Sequence, residues 1–274
     1  MNKIYHIQFP GLNLSFEISP VAFQFGSVKV YWYGILICLG FLLALIYCLK
    51  RSKDFKITQD QLIDAVIFGA IFAVVGARIY YVVFYKGDLF IKNPMEIFRI
   101  NEGGIAIYGG LIGAILGGLL VSKIKKIKFL NLLDLSSMGF LIGQAIGRWG
   151  NFTNQEAFGT QTDSIFRMVS EGTHSESVHP CFLYESLWCA LGFLLIHFFS
   201  LKLKKYEGQL FLLYVFWYGL GRFFIEALRT DSLFIPNTSI RISQLVAILS
   251  VLISLILWVY NEVKLKKSKI EKVD

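Results

Sequence analysis

Residues 103–121 read GGIAIYGGLIGAILGGLLV, a run that contains no charged side chain. A helix needs about 20 mainly apolar residues to cross the hydrocarbon core of a bilayer, so this run predicts a membrane-spanning helix. Some of its glycines recur every four residues and share one helix face: Gly109, Gly113 and Gly117. Small residues at that spacing favour close packing of two membrane helices. For Gly109 and Gly110, next to Tyr108, a second possibility is the close approach of a lipid head group.

The rest of the chain has the same character. Of its 274 residues, 55% are hydrophobic and only 17% are charged, and the mean hydropathy is +0.58. A soluble domain of this size could not bury so much apolar surface, so we predict an all-α integral membrane protein. Seven spans are expected, at about 30–49, 65–84, 104–122, 130–147, 182–201, 209–226 and 242–260. Residues 1–29 lack the continuous apolar core of a secretory signal and predict an irregular or short β-type arm at the membrane surface.

Basic residues set the expected orientation. Four short segments, after spans one, three, five and seven, hold most of the 27 Lys and Arg residues. Because cytoplasmic loops are enriched in Lys and Arg, we predict an outer N-terminus and a cytoplasmic C-terminus. The same rule accounts for the net charge of +8 without nucleic acid as a partner. The expected organisation is a surface arm (1–29), a seven-helix transmembrane domain (30–262) and a basic cytoplasmic tail (263–274), with residues 151–181 forming a small external cap.

Polar side chains crowd the end of the fourth span. Residues 147–159 read GRWGNFTNQEAFG and directly follow an apolar run. The predicted orientation places this stretch at the outer edge of the membrane. Its amides could donate hydrogen bonds to phosphate or ester oxygens: Asn151, Asn154 and Gln155.

Ionisable residues also occur inside the predicted spans, where an arginine at a helix centre costs about +2.5 to +3.5 kcal/mol. Five of them lie in the outer half or at the outer edge of four spans: Arg78, Arg148, Glu185, Arg222 and Glu226. Each has a structural alternative, since Arg222 and Glu226 can pair along one helix face and Arg78 can reach the interface. Together they predict a site for an anion, because arginine binds phosphate through a planar fork. The abundant anion in a membrane is a phospholipid head group.

The motifs resemble those of the bacterial prolipoprotein diacylglyceryl transferases. The signature is GRWGNFTNQEAFG, and five further blocks occur in the family's order: VYWYGILICLGF, GARIYYVVFY, GGLIGAILG, HPCFLYE and YGLGRFFIEALR. The resemblance covers about residues 30–260. It implies transfer of the sn-1,2-diacylglyceryl group of phosphatidylglycerol to the lipobox cysteine of a preprolipoprotein, with release of glycerol-1-phosphate. It also implies a location in the bacterial cytoplasmic (inner) membrane, with the active site toward the outer face.

The resemblance further implies roles for particular residues. The residues expected to bind phosphatidylglycerol are Arg148, Asn151, Asn154, Gly159, Arg222, Glu226, Tyr33 and Tyr218, and all of them except Asn154 match a family residue. Residues expected in catalysis are Arg148, Arg222, Tyr108, Glu156 and His179. The partners are phosphatidylglycerol, membrane lipids and lipobox signal peptides, and neither a metal nor a cofactor is expected. The four cysteines form no CxxC pair, and Cys38, Cys48 and Cys189 are expected to fill the helix core.

One position departs from the family pattern. Many members have a histidine immediately before the Gly-Gly-Leu of the third span, and this chain has Tyr108. A phenol with a pKa near 10 is a weak base at neutral pH, although it can donate a hydrogen bond to phosphate. Among the histidines, His179 is the candidate base, and its alternatives are to orient the loop or to pair with Glu185.

Two functions of other classes stay open at this stage. Polar residues inside spans also mark lipid or anion transporters, but transporter sites lie near the midplane and between repeated halves. No repeated half is evident here, and the charges lie near one edge. A non-catalytic receptor for signal peptides is the other alternative, although binding alone would not require arginines directed at a phosphate.

Overall fold

The computed structural model describes residues 3–100 and 103–270. Within those residues, seven helices are long and apolar enough to cross a membrane, which confirms the predicted number of spans. Their bounds are α1, Trp32–Arg51; α2, Gln59–Val83; α4, Ile107–Ile124; α5, Phe129–Asn154; α6, Cys181–Lys202; α7, Gln209–Leu228; and α8, Ile242–Ile270. A short helix, α3, covers Leu89–Lys92. Of the predicted basic tail, residues 271–274 lie outside the described residues.

Helices α5 and α8 are longer than predicted. Helix α5 continues to Asn154, so the first half of the GRWGNFTNQEAFG stretch is helical and not a loop. It ends where Gln155 adopts a positive φ of 54°, a left-handed conformation common just after a helix C-terminus. Helix α8 extends beyond the predicted position 260 to Ile270. The predicted loop of residues 151–181 is therefore shorter and covers residues 155–180.

The N-terminal arm consists of two antiparallel hairpins, which confirms the short β-type alternative. Strand β1 (Tyr5–Phe9) pairs with β2 (Leu14–Ile18), and β3 (Val21–Phe25) pairs with β4 (Val28–Tyr31). Alternate residues of β1 are buried. They pack with Met168, Val178 and Phe182, and the backbone of Gln8 pairs with Val169. Strand β1 thus joins the 155–180 loop and the start of α6 in one small core.

The chain divides into two compact units, residues 1–47 with 136–274 (unit 1) and residues 48–135 (unit 2). Unit 2 is organised by α2 and α4, which meet along the predicted glycine face. A Cβ atom on Gly113 would lie 2.0 Å from the carbonyl oxygen of Phe72, and one on Gly109 would lie 2.3 Å from that of Gly76. No side chain fits such spaces. The glycines are therefore required by backbone-to-backbone packing, as the small-residue spacing predicts.

Gly113→Ala should destabilise unit 2, because α2 and α4 would have to separate or shift to admit the new methyl group. Overpacking of this kind typically costs about 1–3 kcal/mol. Gly69→Ala, on the partner helix α2, is the control, since its Cβ would meet no atom within 4 Å. Thermal unfolding of both variants in detergent checks this prediction, and equal melting temperatures would contradict the close packing.

In unit 1, α6 and α7 are joined by two tryptophans. The indoles of Trp188 and Trp217 stack 4.2 Å apart, and each Nε1 donates a 2.9 Å hydrogen bond to the other residue's carbonyl oxygen. Each ring also lies on a glycine of the opposite helix, Trp188 on Gly221 and Trp217 on Gly192. The reciprocal contacts fix how far one helix can slide along the other. The register of α6 against α7 determines which of their polar residues meet.

Backbone hydrogen bonds connect the 155–180 loop to the end of α7 and to the start of α6. Thr160 donates its N–H to the carbonyl oxygen of Leu228 at the end of α7. The loop then returns to α6, where Gly159 pairs with His179. Cys38 is exposed, so the prediction that it fills the core was wrong. Cys48 and Cys189 are buried as predicted.

Candidate active site

Three helices of unit 1 bring their charged residues together at one end. Arg148 lies near the end of α5, Glu185 near the start of α6 and Arg222 near the end of α7. The Glu185 carboxylate bridges the two arginines, with Oε2 2.5 Å from Nε of Arg148 and Oε1 2.7 Å from Nη1 of Arg222. The carboxylate is only 4% exposed. Burying a charge is costly unless opposite charge pairs with it, and both arginines supply that charge here.

A second carboxylate extends the cluster along α7. Nη2 of Arg222 lies 2.5 Å from Oε2 of Glu226, the i, i+4 pair that the sequence predicts. Helix α7 ends with Arg229, which the sequence analysis missed. Its guanidinium binds both carboxylate oxygens of Asp231 and lies 3.6 Å from Glu185. The hydrogen bonds from Arg229 lower the pKa of Asp231 and keep it ionised.

Arg148 differs from the other two arginines in its unused donors. Arg229 contacts carboxylates through all three of its nitrogens, and Arg222 through both of its terminal nitrogens. Arg148 contacts Glu185 through Nε alone. In the part of the chain that the structure describes, Nη1 and Nη2 of Arg148 have no acceptor. The terminal nitrogens form the planar fork that binds phosphate oxygens, so this side chain is oriented by Glu185 with its fork free.

The signature residues after Arg148 form a structured helix end. Asn151 donates from Nδ2 to Oε1 of Glu156 at 2.9 Å, and its backbone carbonyl accepts from the Glu156 N–H. Gln155 is buried and binds the carbonyl oxygen of Phe152 and the hydroxyl group of Ser170. Its amide thus connects α5 to the 155–180 loop, which is a structural role. Glu156 is exposed and Asn151 is half-buried.

Tyr33 and Asn154 line a separate open cavity of about 730 Å³, together with Lys29 and Tyr31. The Tyr33 ring lies against Gly150, where a Cβ atom would approach it to 2.7 Å. An apolar groove of about 380 Å³ lies between the β1–β2 hairpin and Trp149 of α5. Trp149 directly follows Arg148 in α5 and donates a 3.1 Å hydrogen bond to Ser186 of α6.

Gly159 and His179 belong to the loop that closes over the start of α6. The Gly159 N–H donates to the carbonyl oxygen of His179, and a Cβ at Gly159 would lie 2.9 Å from the Cys181 sulfur atom. The His179 ring lies 3.2 Å, through Nδ1, from the hydroxyl group of Tyr184 and does not pair with Glu185. Burial lowers the pKa of His179, so the imidazole is neutral at pH 7. A neutral imidazole retains one nitrogen that can accept a proton.

The tyrosines of α7 lie next to the cluster. Tyr218 is one helical turn before Arg222 and within electrostatic range of Arg148. Its ring stacks on that of Tyr214, with centroids 5.9 Å apart. Tyr214 accepts a 3.0 Å hydrogen bond from the amide of Gln144, which lies one turn before Arg148 on α5.

Tyr108 and Arg78 belong to unit 2. Tyr108 is in the first turn of α4 and is 50% exposed. Arg78 is 7% exposed and donates to the backbone carbonyls of Ile97, Gly103, Gly104 and Glu96. Its guanidinium therefore fixes the irregular segment before α4, which is a structural role.

Within residues 3–100 and 103–270, no group of three His, Cys, Asp or Glu side chains could hold a metal ion.

Fold and site together define a multi-pass membrane protein with an arginine–carboxylate cluster among its helices. Comparison with known families is more specific, since the profile of the prolipoprotein diacylglyceryl transferase family matches residues 20–260. The chain belongs to this family. It is similar to proteins named phosphatidylglycerol–prolipoprotein diacylglyceryl transferase from Bacillus velezensis (41% identity, covering 90% of this chain and 93% of the relative) and Listeria innocua (42%; 90% and 91%). A Staphylococcus aureus protein of the same name is 40% identical (93% and 94%).

Proposed function

We propose that the chain transfers the sn-1,2-diacylglyceryl group of phosphatidylglycerol to the lipobox cysteine of prolipoproteins. Its relatives are named for this activity. The observation that carries the proposal is the arrangement of Arg148, whose fork is free while Glu185 holds its Nε. An arginine oriented in this way in a dry site suits a phosphodiester, and its charge can stabilise the leaving phosphate.

The chemical step is a displacement at the glycerol carbon that bears the phosphate. The cysteine sulfur forms a bond to this carbon while the carbon–oxygen bond to phosphate breaks. The electron pair of that bond stays on the phosphate oxygen, and the thiol proton ends on the released glycerol-1-phosphate. Arg148 and Arg222 stabilise the charge that develops on this oxygen. Such fixed charges in a site of low dielectric constant often make the largest contribution to catalysis.

The other predicted site residues receive supporting roles in this proposal. Asn151 and Glu156 stabilise the helix end that carries Arg148. Tyr218 and Glu226 flank Arg222, and Gly159 allows the 155–180 loop to pack on α6. His179 is the neutral base candidate for the thiol proton. Tyr33 and Asn154 contact the lipid at the open cavity, and Tyr108, which belongs to unit 2, stays a predicted catalytic residue.

We further propose that the cluster lies at the outer face of the bacterial cytoplasmic membrane. The ends of α1, α6 and α8 away from the cluster are rich in lysine, as is typical of cytoplasmic ends. A signal peptide spans the membrane with its lipobox cysteine near the outer surface in this arrangement. Its apolar part can lie along the bundle while the cysteine reaches the lipid phosphate. Proximity of the two substrates then contributes to the rate.

The deciding experiment uses the purified protein in phosphatidylglycerol micelles with a lipobox peptide. Release of glycerol phosphate and a gain of one diacylglyceryl mass by the peptide are the expected results. A peptide in which serine replaces the lipobox cysteine is the control and should gain no mass. Lipid that stays intact contradicts the proposal: movement of intact phosphatidylglycerol across vesicles would indicate a transporter, and peptide binding without lipid cleavage would indicate a receptor.

A further inference from the structure

A neutral polar layer follows the charged cluster toward the middle of the bundle in unit 1. It consists of Gln144 of α5, Cys189 of α6 and Tyr214 of α7. The Gln144 amide donates to the Tyr214 hydroxyl at 3.0 Å, and the Cys189 sulfur lies 3.9 Å from Oε1 of Gln144. On α5 and α6 these residues lie one turn from Arg148 and Glu185, and on α7 Tyr214 lies one turn from Tyr218. The same three helices therefore supply a charged layer and, below it, an uncharged one.

This layer has hydrogen-bonding capacity that the protein leaves unused. The Tyr214 hydroxyl accepts from Gln144 and, within the residues that the structure describes, its own proton has no acceptor. The second amide hydrogen of Gln144 has no acceptor there either, and the Tyr218 hydroxyl has no hydrogen-bond partner among the same residues. Polar groups inside a helix bundle are normally satisfied, because leaving them unpaired costs free energy. Unused donors beside a free arginine fork indicate groups that bind a ligand.

We infer that Gln144 and Tyr214, with Tyr218, bind the hydroxyl groups of the glycerol head group and so select phosphatidylglycerol among phosphodiester lipids. The inference rests on the proposed function, whose phosphate site it extends by one helical turn. Both hydroxyls of the head group lie a short carbon chain beyond the phosphate. The distance from the phosphate to these hydroxyls is comparable with the pitch of one helical turn, about 5.4 Å. A head group turned into the bundle therefore places its hydroxyls at this layer while the phosphate stays on Arg148.

The chemistry of the layer matches a neutral polyol. Amide and phenol groups both donate and accept, as hydroxyl groups require. An ammonium head group would gain no carboxylate here, because the nearby acids Glu185 and Glu226 are already paired with arginines. A site that binds substrate hydroxyls rejects an analogue without them, because its own polar groups are then left unpaired.

The test compares two lipids, phosphatidylglycerol and phosphatidylpropanol, which has the same phosphodiester and carbon chain but lacks both head-group hydroxyls. The wild-type protein should transfer from phosphatidylglycerol about 10-fold faster or more, since one lost hydrogen bond to a buried polar group has roughly this effect. Tyr214→Phe and Gln144→Met should each reduce this ratio severalfold, by slowing transfer from phosphatidylglycerol alone. Tyr47→Phe is the matched control, because it removes a tyrosine hydroxyl bound to His197 elsewhere in unit 1, and should keep the ratio.

Each result has a definite meaning. Equal wild-type rates from the two lipids would overturn the inference while leaving the proposed transfer intact. An unchanged ratio in both variants would also overturn it and would make the Gln144–Tyr214 pair a packing contact. Because the wild-type comparison requires no substitution, a variant that fails to fold does not remove the test. If the protein transferred from neither of the two lipids, the proposed function would be refuted, and the inference with it.

Discussion

Arg148→Ala should lower the rate of diacylglyceryl transfer by about 10²–10³-fold or more, the usual effect of removing one donor that stabilises developing charge. The alanine variant removes the only guanidinium of the cluster whose terminal nitrogens have no acceptor among the described residues. It should remain folded, because Glu185 keeps Arg222 at 2.7 Å and Arg229 at 3.6 Å. Transfer from phosphatidylglycerol to a lipobox peptide and thermal unfolding in detergent measure the two effects.

A lysine at position 148 separates the role of the guanidinium fork from that of the positive charge. Arg148→Lys keeps the positive charge but not the bidentate geometry, so its rate should fall between those of the wild type and Arg148→Ala. Arg167→Ala is the matched control, because this arginine of unit 1 donates only to the carbonyl oxygens of Asp163 and Ser164 in the loop. Near-normal transfer by a folded Arg148→Ala protein would remove the phosphate clamp from the mechanism.

Much of this site could be predicted from the sequence, because residue spacing along one helix determines which side chains share a face. The spacing of Arg222 and Glu226 predicts their pairing on one helix face, and the structure has it. An ionisable residue in an apolar span also requires a partner, which is why Glu185 could be expected to neutralise an arginine. The family blocks pointed independently to Arg148, Arg222 and Glu226 but assigned no role to Glu185. Which arginines meet one carboxylate, however, depends on the register of α5, α6 and α7.

The parts that the sequence did not predict depend on contacts between distant segments. GRWGNFTN resembles a loop because it is polar, but it is helical to Asn154, and Glu185 and Ser186 of α6 contact its Arg148 and Trp149 side chains. Arg78 was expected in the cluster from its depth alone. Its actual partners are backbone carbonyls of an irregular segment, and no side-chain pattern encodes those. Arg229 did carry a signal, since the nearby Asp231 offered it a local partner.

Glu185→Gln should reduce both stability and transfer, which distinguishes it from Arg148→Ala. Glu185 is a positioning residue, because its carboxylate holds Arg148 and Arg222 without contacting the lipid in the proposed mechanism. A carboxamide keeps the shape but loses the charge, so Arg148 would lose its carboxylate partner and Arg222 would keep only Glu226. Breaking a buried ion pair by removing one partner typically costs about 3–5 kcal/mol. Both arginines would also lose the orientation that directs them to phosphate.

The measurement is therefore transfer per folded molecule, with thermal unfolding of the same samples. We expect a rate about 10²-fold lower or more, because both phosphate donors are disturbed at once. Glu185→Asp should recover part of this loss, since a shorter carboxylate can still neutralise one arginine. Glu262→Gln is the control, because this acid contacts Lys205 and Gln209 at the opposite end of α7. A Glu185→Gln protein that is less stable but fully active would show that the carboxylate serves only the fold, and that Arg148 is oriented by other contacts.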